Sequence, residues 1–155
     1  MAGRRLDGCD ARLRRATRHD LPALRRLLGG GEARSDRFDR RLLRNLGADV
    51  YVAETVRGDL VGAVALSFTR SFAAGQWRAH LDGVWVRGEQ APAVLDGLLA
   101  HAVARAARRH CRELLVLGLV DDALAAALDR GGFTRGQSWR SALPPDAGSG
   151  PMPGS

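Results

Sequence analysis

Apolar and polar positions alternate weakly over Ala11–Thr17, with Leu13 the strongest inward residue, and this two-residue period predicts a first strand. His19-Asp20-Leu21-Pro22 then predicts a helix start. Asp20 stands where a side chain can accept from free backbone N–H groups, and Pro22 lies where a missing N–H does no harm. Leu21, Leu24, Leu27 and Leu28 give that helix one apolar stripe, and Gly29-Gly30-Gly31 ends it. A second helix is predicted after Ser35 or Asp36, with Phe38, Leu42, Leu43 and Leu46 inward and Gly47 as its stop.

Asp49–Val56 reads as a strand, Arg57-Gly58-Asp59 as a tight turn and Leu60–Phe68 as the antiparallel partner, which makes a hairpin. Residues Thr69–Gln76 form a loop, and Trp77–Val86 a further strand. Strict alternation puts His80, Asp82, Val84 and Val86 on one face of it and Leu81, Gly83 and Trp85 on the other. Val94, Leu95, Leu98, Leu99, Ala102, Val103 and Ala106 recur at helical spacing, so a long helix runs to about Arg109. Glu113–Val120 is nearly all apolar, as for a strand buried on both faces. Asp121 or Asp122 caps a short helix through Leu128, and Phe133-Thr134 and Ser138–Leu143 read as final strands.

Length sets the scale of this unit. A chain of 155 residues has room for one domain with a real core. The domain is expected over residues 11–143, with residues 1–10 and the proline, glycine and serine tail 144–155 disordered. The apolar share is 45%, and no apolar run is long enough to cross a membrane; the start carries two arginines without an apolar segment behind them, so a cytoplasmic place is expected. Two cysteines, Cys9 and Cys111, make neither a disulfide framework nor a metal cluster, and no metal is expected.

The net charge of +7 comes entirely from arginine. Lysine and isoleucine are absent, a pattern of GC-rich coding that points to a high-GC bacterium. The arginines are spread over helix faces without a recognition-helix signature, zinc spacing or row of exposed aromatics. They therefore read as a solvated basic surface, with no nucleic-acid or membrane partner expected, and the charge suits an anionic small ligand.

The order of elements and several local motifs resemble the GCN5-related N-acetyltransferase family. Leu13–Leu24 resembles its opening strand and helix, Val52-Ala-Glu with Gly58–Gly62 its second and third strands, Leu81–Val86 its fourth, and Leu128-Asp-Arg-Gly-Gly-Phe133 the end of its last helix. The resemblance implies one α+β (α/β) domain, a mixed and mostly antiparallel sheet with helices on both faces, and a splay between the family's fourth and fifth strands. It also implies acetyl-CoA or another acyl-CoA as co-substrate, with pantetheine along Val84 and Val86 and the pyrophosphate on the turn into the long helix. That turn is Gln90-Ala-Pro-Ala-Val-Leu95, so Gln90, Ala91, Ala93 and Leu95 are the implied cofactor contacts. It departs from the family's pattern. Ala93 and Leu95 replace glycine or small residues, Pro92 lacks an N–H donor, and Leu128 stands where many relatives carry a tyrosine.

The resemblance also implies a carboxylate base at Asp82, and His80, two residues earlier, can share proton transfer. The alternative for Asp82 is a strand residue paired to Arg70 or Arg78. Ser67, Thr69 and Ser71 lie where relatives bind acceptor, and Phe72, Trp77 and Trp85 are candidate walls of a substrate pocket, with core packing as the alternative. Cys111 follows two arginines and a histidine but reads as packing, and Tyr51 as a strand aromatic. The expected activity is acyl-CoA-dependent N-acyl transfer to a small-molecule amine by a monomer or homodimer. Two other readings keep the fold: a repurposed enzyme of specialised metabolism doing acid–base chemistry without acetyl-CoA, and a non-catalytic relative that binds a ligand or partner.

Overall fold

The structure, a computed structural model, describes residues 3–29, 48–73, 75–116, 118 and 120–135. The predicted helix over 35–46, the strand over 138–143 and the tail over 144–155 lie outside them. Among the described residues six strands form one sheet: β1 (Arg4–Arg5), β2 (Ala11–Arg15), β3 (Ala48–Thr55), β4 (Leu60–Ser71), β5 (Gln76–Val86) and β6 (Cys111–Val116). They lie in sequence order, each antiparallel to its neighbour except for the parallel pair β5 and β6. Helix α1 (Leu21–Leu27), entered through the 3-10 turn Arg18–Asp20, follows β2. Helix α2 (Ala91–Arg108) makes the parallel crossover from β5 to β6, and α3 (Asp122–Arg130) follows.

The helices divide between the two faces, as expected. On one face Val94, Leu95, Leu98, Leu99 and Ala102 of α2 bury Leu13, Val64, Leu66, Ala79 and Leu81, joined by Ala127 and Leu128 of α3. On the other face Leu24 of α1 packs with Val50, Val52 and Ala63. Gly62 sets the approach of α2 to the sheet: a Cβ there would lie 2.7 Å from the Val94 side chain.

Several expectations are corrected. The sheet begins at Arg4, ahead of the expected boundary at Ala11, and Leu6 and Cys9 are buried in the main core. Asp20 caps no helical N–H with its side chain, because Arg14 and the Thr17 N–H already occupy both of its oxygens. The arms of the β4–β5 hairpin continue through Ser71 and Gln76, which shortens the expected loop to residues 72–75. Strand β6 starts earlier, at Cys111, and over Cys111–Val116 it is half-exposed, not buried on both faces, because it is the edge strand among the described residues. Residues 133–135 carry no strand. Asp121 does cap α3, accepting from the Leu124 N–H at 2.8 Å.

Candidate active site

Strand β5 carries one extra residue. Leu66 of β4 faces Leu81 while its neighbour Ala65 faces Gly83, so Asp82 has no partner across the ladder and forms a bulge. A bulge reverses the alternation beyond it. Ala79 and Leu81 face α2 before it, and Val84 and Val86 join the same core after it. His80, Trp85 and the Asp82 carboxylate share the opposite, α1 face. The expected grouping of His80 and Asp82 is therefore kept, but Val84 and Val86 are moved off their face. Trp85 folds back over Gly83, where a Cβ would sit 2.3 Å from the indole.

The bulge also follows directly on the last pairing of β5 with β6 among the described residues. Strands β5 and β6 pair from Trp77 with Cys111 up to Leu81 with Val116, and beyond Leu81 this edge of β5 has no partner among the described residues. Asp82 is the next residue. Its Oδ1 accepts the Ser67 hydroxyl at 3.0 Å, and Thr69 Oγ1 lies 2.9 Å from His80 Nε2. The other ring nitrogen of His80, Nδ1, is buried without a partner. Desolvation by the surrounding sheet raises the Asp82 carboxyl above the ordinary carboxylate range, against the Ser67 hydrogen bond and the charge of His80. Among the described residues no arginine is paired with Asp82, and Arg78 pairs with Glu113 at 2.6 Å.

Of the three expected aromatic walls Trp85 shares the Asp82 face, and the other two are elsewhere. Phe72 is fully exposed in the hairpin turn, and Trp77 is 44% exposed, on the α2 side of β5 by strand alternation. Neither meets the Asp82 patch. Tyr51 is a core aromatic set edge-on to His101, and Cys111 packs at the core margin, where burial pushes its thiol up against the pull of Arg109.

At the start of α2 the expected contacts sort by chemistry. Leu95 is buried and holds the first turn to the core, so its side chain offers a ligand nothing. Gln90 turns its carboxamide oxygen to the Asp10 N–H at 3.0 Å. The Ala91 N–H bonds Gly88 O and the Val94 N–H bonds Gln90 O, while Pro92 has none to give. The N–H groups of Gly88, Glu89, Gln90 and Ala93 remain free of partners among the described residues. Gly88 takes φ +88°, a conformation that suits glycine. A cavity of about 380 Å³ opens beside this turn, lined by Arg57, Arg87, Gly88, Glu89 and Gln90 together with Asp10 and Asp59. Free donors at a helix start suit an anion, so the turn fits a reduced pyrophosphate site.

No protein-family model and no curated protein matches the chain. Solved structures do. A probable acetyltransferase is 25% identical with a TM-score of 0.70, over 86% of this chain and 97% of that one. The glucosamine-6-phosphate N-acetyltransferase of Arabidopsis thaliana is 16% identical with a TM-score of 0.70, over 86% and 97%. A protein named as a transcriptional regulator, from Bacillus halodurans, is 21% identical with a TM-score of 0.67, over 86% and 99%. The chain has the fold of the GCN5-related N-acetyltransferases. Within that fold the bulge at Asp82 follows directly on Leu81 and Val116, the last pair of β5 with β6 among the described residues.

Sequence reasoning missed one cluster in this acetyltransferase fold. Asp49 of β3 is fully buried, with Arg105 Nε at 2.6 Å, Arg15 at 3.0 Å and Arg109 at 3.7 Å. It lies on the α2 face, away from Asp82. The one signal in the sequence was an aspartate opening an apolar strand.

Proposed function

We propose that this protein is an acyl-CoA-dependent N-acyltransferase, acting on a small-molecule amine in the cytoplasm, with Asp82 as its base. The observation that carries this reading is the Asp82 carboxyl: raised by desolvation, held by Ser67, and set in the bulge just past the last β5–β6 pair among the described residues. An amine at neutral pH is mostly an ammonium ion and must lose a proton before its nitrogen can attack a carbonyl carbon. A carboxylate within reach takes that proton directly or through one water, and a pKa lifted toward neutrality makes it the better base. His80, two residues away, is the second polar group of this face.

When bound, the acyl-CoA supplies the acyl group as an activated thioester. The edge of β5 at Val84 and Val86, unpaired among the described residues, offers backbone groups along its length, and the N–H groups of Gly88, Glu89, Gln90 and Ala93 offer donors to its phosphates. Ala91 spends its N–H on the turn, and Leu95 supports from the core. Leu128 has no proton to give a departing thiol, so the chain places no acid there. The small-amine acceptor draws support from the neighbour named for glucosamine-6-phosphate.

Isothermal titration with acetyl-CoA and CoA, followed by turnover on a panel of small amines and peptides, tests the reading. Micromolar binding and turnover on a small amine are expected. Absence of binding at millimolar ligand would favour acid–base chemistry without acetyl-CoA on the His80 and Asp82 face, and binding without turnover a non-catalytic relative. Asp82→Asn should bind acetyl-CoA as the wild type does and lose at least about 100-fold in kcat. Unchanged turnover would remove Asp82 from the mechanism.

A further inference from the structure

The hydroxyls of Ser67 and Thr69 reach across the sheet in the same direction. In the β4–β5 register Ser67 faces His80 and Thr69 faces Arg78, yet Ser67 bonds Asp82 and Thr69 bonds His80, each the diagonal neighbour two residues further along β5. Two hydroxyls thus hold the side chains of Asp82 and His80. We propose that Ser67 and Thr69 are positioning residues of the acyl-transfer site and not acceptor ligands: Ser67 occupies Asp82 Oδ1 and leaves Oδ2 to meet the amine, and Thr69 fixes the ring of His80. The inference rests on the reading of Asp82 as the base.

A serine hydroxyl has one proton, and here Asp82 receives it, so Ser67 has none left to donate to an acceptor. Asp82 Oδ2 has no partner among the described residues. Fixing one oxygen of a carboxylate restricts the rotation of the other, which is how a base is held in line with the proton it removes. Ser67 and His80 are the two groups among the described residues that act on the Asp82 charge. The Ser67 bond favours the ionised carboxylate, so removing it makes the carboxyl harder to ionise. The imidazole of His80 has one nitrogen bonded to Thr69 and the other buried, so among the described residues Thr69 is the group that sets its orientation through hydrogen bonding.

The test compares wild type, Ser67→Ala, Ser67→Thr and Asp82→Asn in kcat, KM and the pH profile of kcat/KM, together with a carbon-13 NMR titration of the Asp82 carboxyl in the free protein. In Ser67→Ala the carboxyl titration and the acid limb of the profile should both move up by about half a pH unit, the discounted effect for an exposed pair. Its kcat should fall about tenfold with the KM for acetyl-CoA unchanged, and Ser67→Thr, which keeps the hydroxyl, should recover both. A Ser67→Ala enzyme with wild-type kcat and acid limb, while Asp82→Asn is inactive, would overturn the positioning role and leave the base in place. If Asp82→Asn is itself active the base reading falls. The NMR titration then decides whether Ser67 holds the carboxyl, and an unmoved titration would end that claim too.

Discussion

His101 packs edge-on against Tyr51 with ring centroids 4.3 Å apart, and its Nε2 is buried without a partner. Burial and then the positive charges of Arg108, Arg105 and Arg4 lower its pKa to about 4, with Asp49 pulling the other way. The native protein therefore keeps this imidazole neutral over a range where the unfolded chain, near 6.5, already binds a proton. A folded pKa below the unfolded one means stability is complete above about pH 6.5 and is lost as pH falls toward about 4. Solvent screening of the arginines reduces the effect to about 1 kcal/mol between pH 7 and pH 5. His101→Phe keeps a ring against Tyr51 and removes the unpaired nitrogen. Urea unfolding at the two pH values should show that this variant is at least as stable as wild type at pH 7 and flatter toward pH 5. An unchanged pH slope would show that other groups carry it.

At the scale of elements, α2 organises the molecule. Its inner face covers the sheet, its start forms the turn proposed to hold the phosphates, and its outer side receives β1 and the turn after it. Leu6 is the contact that joins them: it is buried, and a Cβ at Gly97 would come within 2.9 Å of its side chain. The missing side chain at Gly97 is thus the seat for Leu6, an arrangement that a helix pattern marks only as a weak position. Leu6→Ala leaves that seat empty and should destabilise the protein by about 2–4 kcal/mol, the usual loss for a buried leucine. The seat also neighbours the turn through Gln90, whose carboxamide holds the Asp10 N–H. Leu6→Ala should therefore weaken acetyl-CoA binding as well, and titration beside urea unfolding checks both. A full-strength fold after this substitution would place β1 outside the cooperative unit.

Across the whole molecule, the parts legible in the sequence were those with a local period. The β3–β4 hairpin, α2 and the cap at Asp121 follow from turn residues and apolar spacing, and Asp82 stood out as an acid in an apolar strand. The bulge left no such mark, because LDGVWV alternates equally well with or without an unpaired residue, and only the partner strand reveals the slip. Strand β1 was hidden by its two arginines and short length. Asp49 was hidden by distance, since Arg105 lies 56 positions away among 24 basic residues of nearly uniform composition. Its role is set by the charge of the whole chain. With a net charge of +7, a carboxylate enclosed by Arg15, Arg105 and Arg109 offsets repulsion that no other acid at that place relieves among the described residues. It also ties β2 and α2 to β3. Asp49→Asn keeps the volume but leaves three guanidinium groups facing one another, and it should lower stability by about 3 kcal/mol in urea unfolding. Adding Arg105→Met to that variant removes the most enclosed of the three charges and replaces it with apolar bulk. The double variant should regain part of the loss, because the cost comes from uncompensated charge and not from the missing ion pair itself. If the double variant is as unstable as the single one, Asp49 acts through its shape and hydrogen bond, and the electrostatic account of this junction is wrong.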